Sequence, residues 1–137
     1  MPKTILIERV INAPRERVYK AMLDPKDLVH WHHADESWTT PYAESDARNG
    51  GKFKIGFRSP DGKNDFDFEG VYDELIPPER IVYTIADGRP VNILLTDEGG
   101  KTKISLTLTL EEENTADQQR EGWTLMLVHL GEYLERT

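Results

Sequence analysis

The chain has 137 residues, of which 37% are hydrophobic and 31% charged, as in a folded globular protein; its length fits one domain over residues 1–137. A formal net charge of −8 argues against nucleic acid and anionic membrane surfaces as partners, and the absence of cysteine excludes disulfides and thiolate chemistry. Because the N-terminus lacks a signal-peptide pattern and no apolar run reaches membrane-spanning length, we expect a cytoplasmic protein.

The N-terminal part of the chain predicts a strand followed by two short helices. Isoleucines alternate along Lys3–Ile11, and Leu6 and Val10 occupy the opposite face, so we expect a strand with both faces partly covered. Pro14 suits the first turn of a helix, because its missing N–H is no loss there. The Asp-Pro pair that follows should end this helix and cap a second one over Lys26–Trp31.

Alternation of apolar and polar residues predicts six further strands. The first, Ser37–Ala43, places Trp38, Thr40 and Tyr42 on one face. The others, separated by turns rich in glycine and proline, span Lys52–Arg58, Asp65–Leu75, Ile81–Ala86, Val91–Thr96 and Lys101–Leu110.

The last stretch, Asn114–Thr137, predicts one long amphipathic helix. Residues at spacings of three and four line one face of it: Ala116, Gln119, Trp123, Leu127, Leu130 and Leu134. Thr115 and Gln118 form the pattern of a capping box, so the helix should start there. Nearly everything before it is strand, and a curved sheet needs a large apolar element over its inner face. We therefore expect an α+β domain of order β-α-α-β6-α, with this helix closing a pocket.

Short motifs along essentially the whole chain resemble those of a known family. They are Ile11–Pro14, Val18–Ala21, Asp24-Pro25, Leu28, Trp31, Asp46–Gly51, Pro60–Gly62, Gly70–Glu74, Pro77–Val82 and Gly122-Trp123. The set resembles the START-like, or SRPBCC, superfamily, and more narrowly the homologues of the C-terminal domain of the activator of the heat-shock protein ninety ATPase. This resemblance implies a helix-grip fold, in which a curved antiparallel sheet wraps around the long C-terminal helix.

Binding of a small, mainly apolar molecule is the leading function that the resemblance implies. Aromatic side chains with hydroxyl or indole tips suit such a cavity, although each of them also fits an ordinary packed core. The residues predicted to line the pocket are Trp31, Trp38, Tyr42, Phe57, Phe66, Phe68, Tyr72, Tyr83, Trp123, Met126, Leu127 and Leu130. With no nucleophile elbow and no phosphate-binding glycine loop, we predict no catalytic residue and no cofactor.

One segment combines side chains of types that bind zinc: His30, His32, His33, Asp35 and Glu36. Only His129 offers a distant ligand, and the resemblance implies aromatic residues here instead of a metal. Solvated loop histidines are therefore the favoured interpretation, and we predict no metal.

Two other functions stay open. The acidic surface could dock on a basic patch of a heat-shock chaperone and stimulate its ATPase, as the family name implies, although the full-length co-chaperone has a further domain ahead of this one. A pocket enzyme of unknown reaction would need proton-transfer or anion-holding groups, and the candidates are His32, His33, Tyr42, Arg48 and His129. Of these, Arg48 is expected to brace its turn through an ion pair.

Leu125 and Val128 fall outside the main apolar stripe of the last helix. Either the helix is buried on more than one side, or a second apolar patch is exposed. Exposure would favour a homodimer or another protein partner.

Overall fold

The computed structural model describes residues 3–33 and 37–136, which form one seven-stranded antiparallel sheet and three helices. The elements in chain order are β1 (Thr4–Ile11), α1 (Arg15–Leu23), α2 (Pro25–Trp31), β2 (Ala43–Ser45), β3 (Lys52–Arg58), β4 (Asp65–Ile76), β5 (Arg80–Ile85), β6 (Pro90–Glu98), β7 (Lys101–Thr109) and α3 (Ala116–Arg136). The strands lie side by side in the order β1-β7-β6-β5-β4-β3-β2. The predicted α+β helix-grip fold and its element order are confirmed.

The inner face of the sheet is apolar because the strand register places the apolar residues of neighbouring strands side by side. Leu106 of β7 pairs with Ile7 of β1 on one side and with Ile93 of β6 on the other, and all three side chains are buried. Since side chains alternate between faces, this register carries the apolar stripe across neighbouring strands. Burial of each such side chain contributes about 1.5–3 kcal/mol.

The outer face of β1 is open to solvent. Leu6 and Val10 are 49% and 51% exposed, so the face that was predicted to be partly covered keeps about half of these two side chains in solvent. Helix α3 lies against the inner face, where a methyl group added to Gly131 would lie 3.1 Å from Cδ1 of Ile11. One covering helix shields one face of the strand, and aliphatic residues on the other face are simply exposed.

The strand predicted over Ser37–Ala43 is wrong in its position. The strand covers Ala43–Ser45, and before it only an isolated bridge joins Thr39 to Arg58. Pro41 has no N–H to donate and interrupts the ladder between bridge and strand. The Tyr42 ring crosses Gly56, so closely that a methyl group on that glycine would lie 2.6 Å from the ring.

Helix α3 begins with the predicted capping box. The Thr115 N–H donates to Oε1 of Gln118 at 3.0 Å, and the Gln118 N–H donates to Oγ1 of Thr115 at 3.1 Å. These two bonds satisfy N–H groups that the first turn leaves without helical partners. The buried residues of the helix are Gln119, Leu127, His129, Leu130, Gly131 and Leu134, whereas Ala116 of the predicted stripe is exposed.

Candidate ligand-binding cavity

An apolar cavity of about 40 Å³ lies between the inner face of the sheet and α3. Seven of the twelve residues predicted for the pocket line it: Trp31, Phe68, Tyr72, Tyr83, Trp123, Met126 and Leu127. They come from β4, β5, α2 and α3, which the fold brings together from distant parts of the chain. The sheet therefore supplies the floor of the cavity and the helices supply its cover, as the helix-grip fold implies.

The other five predicted residues do not line the cavity. Phe66 is 55% exposed and packs with Trp38 and Phe57 at one end of the β3–β4 hairpin, with ring centroids 5.6 Å and 5.0 Å away. Tyr42 is 41% exposed, and its hydroxyl donates to the carboxylate of Asp67. The fifth, Leu130, is fully buried in the core. The structure thus divides the predicted set into a cavity lining, a cluster at the hairpin end and one core residue.

Seven cavity residues were absent from the predicted lining, although His32 was named as a candidate for proton transfer. They are Met22, His32, Phe53, Ile55, Ile81, Ile93 and Leu106. Most are aliphatic residues whose alternation in the sequence marks them only as inward-facing, which is equally true of every core residue. Phe53 and Ile55 share a face with Phe57 in β3, and that alternation was the available signal.

Aromatic rings form the floor of the cavity. The Phe53 ring lies 5.1 Å from Tyr72 and 5.0 Å from Tyr83 between centroids, the latter edge to face. Burial raises the pKa of Tyr72 to about 12 and also raises the pKa of Tyr83, so both hydroxyls stay neutral at physiological pH. The Tyr72 hydroxyl lies 2.7 Å from Oγ of Ser45. The floor is therefore uncharged, with polar atoms only at the ring tips.

His32 follows directly after α2 and lines the cavity. Among the described lining residues, Trp31 and Trp123 are the others whose side chains carry nitrogen. It is 6% exposed, and its ring lies 5.2 Å from Trp31 and 5.6 Å from Phe68 between centroids. Burial lowers the pKa of His32 to about 3, which keeps the imidazole neutral. Its Nδ1 atom is buried and makes no hydrogen bond to any other described residue.

A buried carboxylate holds the helices that cover the cavity. Asp27 of α2 accepts hydrogen bonds from Arg17 at 3.0 and 3.2 Å, from Lys20 at 3.2 Å and from the Tyr133 hydroxyl of α3 at 2.6 Å. Burial alone would raise the pKa of Asp27, but the bonds from Arg17, Tyr133 and Lys20 outweigh it and lower the pKa to about 2. This carboxylate joins α1, α2 and α3. The sequence offered no pattern that distinguishes it from a surface aspartate.

Three side chains separate the cavity from a groove on the protein surface. Phe68, Trp123 and Met126 line both spaces, and the groove of about 380 Å³ also touches Arg89 and Gln118. Phe68 and Trp123 meet edge to face with centroids 6.0 Å apart. Trp123 and Met126 are only partly buried. These three side chains form the wall between the interior and the groove.

The remaining candidates for proton transfer or metal binding lie apart from the cavity. The Arg48 Nε–H donates to Oδ2 of Asp46 at 2.7 Å, so the predicted ion pair in that turn is present. His129 is buried, with Nδ1 against the backbone oxygen of His33. The exposed His30 ring stacks on Tyr133 at 5.4 Å.

The structure describes only part of the histidine segment. Asp35 and Glu36 lie outside the described residues. Within 3–33 and 37–136, no three side chains of metal-ligand type lie close enough together to hold an ion.

Comparison with known proteins decides the family. The family model described as "Activator of Hsp90 ATPase homolog 1-like protein" matches residues 12–135. The chain belongs to this family. The resemblance found in the sequence motifs is thereby confirmed. No curated protein matches the chain significantly.

Solved structures show the same AHSA1-like fold. The AHSA1-like protein from Aeromonas hydrophila superposes with a TM-score of 0.92 at 31% identity, covering 98% of this chain and 93% of its own. A protein from Chromobacterium violaceum superposes with a TM-score of 0.86 at 33% identity, and the match covers 96% of each chain. A protein from Cytophaga hutchinsonii superposes with a TM-score of 0.82 at 35% identity, and the match covers 97% of this chain and 92% of the other.

In the part of the chain that the structure describes, no helix is both long and apolar enough to cross a membrane.

Proposed function

We propose that this AHSA1-like protein binds a small, mainly apolar molecule in the cavity between the sheet and α3. The observation that carries this proposal is the lining: aliphatic and aromatic side chains from five strands and three helices, with neutral His32 and tyrosine hydroxyls as polar groups. Ligand sites typically combine a mostly apolar wall with a few polar groups that orient the ligand.

The size of the cavity limits what binds. About 40 Å³ holds water-sized molecules, whereas pockets for drug-sized ligands have about 300–1,000 Å³. A larger ligand must displace the wall formed by Phe68, Trp123 and Met126, which would join the cavity to the groove of about 380 Å³. We propose that the ligand enters there, because Trp123 and Met126 are only partly buried. A compact, single-ring or short-chain molecule fits this route best.

Filling the entrance tests the proposal. Met126→Trp should reduce the affinity for a simple apolar probe, toluene, at least tenfold, because the larger ring occupies the space between cavity and groove. Leu125→Trp is the matched control, because Leu125 is 37% exposed and does not line the cavity. The affinity of this variant for toluene should equal that of the wild type. Titration followed by NMR measures both. No binding of toluene to the wild type, or equal affinity in all three proteins, would contradict the proposal.

Native mass spectrometry of the purified wild type supplies an independent measurement. A co-purifying small molecule that is absent from Met126→Trp but present in Leu125→Trp would identify the natural ligand. It would also place that ligand at the wall.

A second candidate function is stimulation of a heat-shock chaperone ATPase. It is favoured by the description of the matched family and by the net charge of −8, which suits a basic docking patch. An ATPase assay with the chaperone, with and without a tenfold excess of this protein, tests it. Stimulation that disappears at high salt would support docking by charge, and an unchanged rate would remove this candidate.

A further inference from the structure

The Tyr83 hydroxyl is a polar group of the cavity wall without a hydrogen bond to any described residue. The side chain is 7% exposed and lines the cavity. Its neighbour in the sheet, Tyr72, differs, because the Tyr72 hydroxyl lies 2.7 Å from Oγ of Ser45. Buried polar groups in folded proteins are nearly always paired, since an unpaired one loses its hydration without compensation. A polar group inside the cavity would supply the missing bond.

The oxygen of Tyr83 is accessible to a small molecule. Tyr19 also carries a hydroxyl without a partner among the described residues, but that oxygen is enclosed by protein atoms, whereas the oxygen of Tyr83 is not. Tyr83 belongs to β5, an interior strand, and pairs with Tyr72 of β4 and Val91 of β6. Its side chain therefore lies on the inner face of the sheet, where the space beside it is the cavity.

Neighbouring rings hold this hydroxyl in position. Phe53 and Phe68 meet the Tyr83 ring edge to face, with centroids 5.0 Å and 6.3 Å away, and both also line the cavity. Ladder pairing on both sides fixes the backbone of β5. A ligand can therefore form this hydrogen bond without the cost of ordering a mobile side chain.

The hydroxyl is suited to donate the bond. Burial raises the pKa of Tyr83, so the phenol keeps its proton at physiological pH. A phenol can both donate and accept, but it is the better donor, because the ring withdraws electron density from its oxygen. The matching group on a ligand is an oxygen that accepts.

The charge of the surroundings favours a neutral acceptor. Among the described residues, no lysine, arginine, aspartate or glutamate lines the cavity. Arg89 lines the neighbouring groove, where its guanidinium donates to Oδ2 of Asp87 at 2.8 Å and to the Thr109 backbone oxygen at 3.0 Å. A carboxylate in the cavity would therefore lose its hydration without gaining a counter-charge there, whereas a carbonyl group would not carry this cost.

We propose that the cavity selects a neutral apolar molecule bearing a carbonyl group, such as a small aromatic ketone, whose oxygen accepts a hydrogen bond from the Tyr83 hydroxyl. This inference rests on the proposed function and adds the polar group of the ligand. The apolar wall supplies affinity, and Tyr83 supplies the choice between a carbonyl compound and a hydrocarbon of the same shape.

Three probes of nearly the same shape test the proposal: acetophenone, α-methylstyrene, which has a CH₂ group in place of the carbonyl oxygen, and the anion benzoate. Tyr83→Phe should weaken the binding of acetophenone about 3- to 10-fold, the range expected for one neutral hydrogen bond, and should not weaken that of α-methylstyrene. The wild type should bind benzoate more weakly than acetophenone. Tyr42→Phe, the matched control, removes a hydroxyl outside the cavity and should leave all affinities unchanged. Titration followed by NMR measures them.

The stability of the protein without ligand gives a second readout. Tyr83→Phe removes an oxygen without a partner among the described residues, so the midpoint of urea denaturation should not fall. Tyr72→Phe removes the contact with Ser45 and should lower the midpoint. An equal fall in both variants would show that the Tyr83 hydroxyl is already paired before a ligand binds, and would overturn the inference.

Infrared spectroscopy of the wild type keeps the test decisive if a variant does not fold. With protein in excess, the carbonyl stretch of bound acetophenone should lie below its value in hexane, and an equal frequency would overturn the inference. A loss of acetophenone affinity in Tyr83→Phe no larger than that of α-methylstyrene, or tighter binding of benzoate than of acetophenone, would also overturn it, while the proposed function stands. Failure of all three probes to bind the wild type would overturn the proposed function itself, and this inference with it.

Discussion

Gly70 lies in β4 where two neighbours leave no room for a side chain. A methyl group there would meet the Thr84 backbone oxygen at 2.5 Å and the Phe53 ring at 2.6 Å. The Phe53 ring lies over this glycine while it contacts Tyr72 and Tyr83. A missing side chain on one strand thus fixes the position of an aromatic ring on the next, and the floor of the cavity depends on it.

Gly70→Ala should therefore lower the free energy of unfolding by about 1–3 kcal/mol, the usual cost of overpacking a core. Gly122→Ala, in α3, is the control, since a methyl group there has nothing within 4 Å. It should leave stability unchanged or raise it by up to about 1 kcal/mol, because alanine favours the helix. Urea denaturation measures both. Equal effects of the two substitutions would show that both the Phe53 ring and the Thr84 backbone move aside easily.

At the scale of elements, the position of α3 depends on its bond to a buried carboxylate as well as on apolar packing. Asp27 of α2 binds Arg17 and Lys20 of α1 and the Tyr133 hydroxyl of α3. The stacking of His30 on Tyr133 adds a second contact between α2 and α3. The Asp27 side chain is 6% exposed, whereas those of Arg17 and Lys20 are 31% and 59% exposed, so loss of the carboxylate removes its bonds to both cations but leaves the cations in contact with water.

The same carboxylate predicts how stability depends on pH. The pKa of Asp27 falls from 3.8 to about 2 on folding, so its contribution is complete above pH 4 and is lost as the pH falls toward 2. Asp27→Asn should therefore lower the free energy of unfolding by about 2 kcal/mol at pH 7, and the difference from the wild type should shrink below pH 4. Chemical denaturation at several pH values measures it.

Glu132→Gln is the control for that experiment, because this glutamate is exposed on α3. It should change stability by less than about 0.5 kcal/mol at any pH. A difference between Asp27→Asn and wild type that is constant from pH 7 to pH 2 would contradict the assignment of the pH dependence to this carboxylate.

At the scale of the whole molecule, the alternation of apolar and polar residues and the capping box predicted the positions of strands and helix well. They did not predict how deeply each side chain is buried. β3 and the start of α3 lie where their patterns predict, because each is determined by local residue order. Phe66 and Tyr72 share one face of β4 in the sequence, yet Phe66 is 55% exposed and Tyr72 is 3% exposed. Their exposure differs because the helices cover only part of the sheet. Which part they cover depends on contacts between elements that are distant in the sequence.

The histidines illustrate the same limit at the site. The sequence favoured solvated loop positions for His30, His32 and His33, which is wrong for His32: directly after the end of α2 it is 6% exposed, whereas His30 is on the surface. Whether a histidine near a helix end is a surface residue or a cavity wall depends on where the helix terminates. Local sequence patterns place a helix end only to within one or two residues.

The pairing of β1 with β7 has a consequence for how the protein is made. Thr4 pairs with Thr109, so the first strand finds its neighbour in the sheet only after nearly the whole chain exists. Synthesis proceeds from the N-terminus, and until β7 emerges the inner isoleucines of β1 have no sheet to join. Contacts between such distant residues form slowly, because a long loop must close first. We therefore expect the cavity to be among the last features to form, when α3 packs onto a sheet that β7 has just completed.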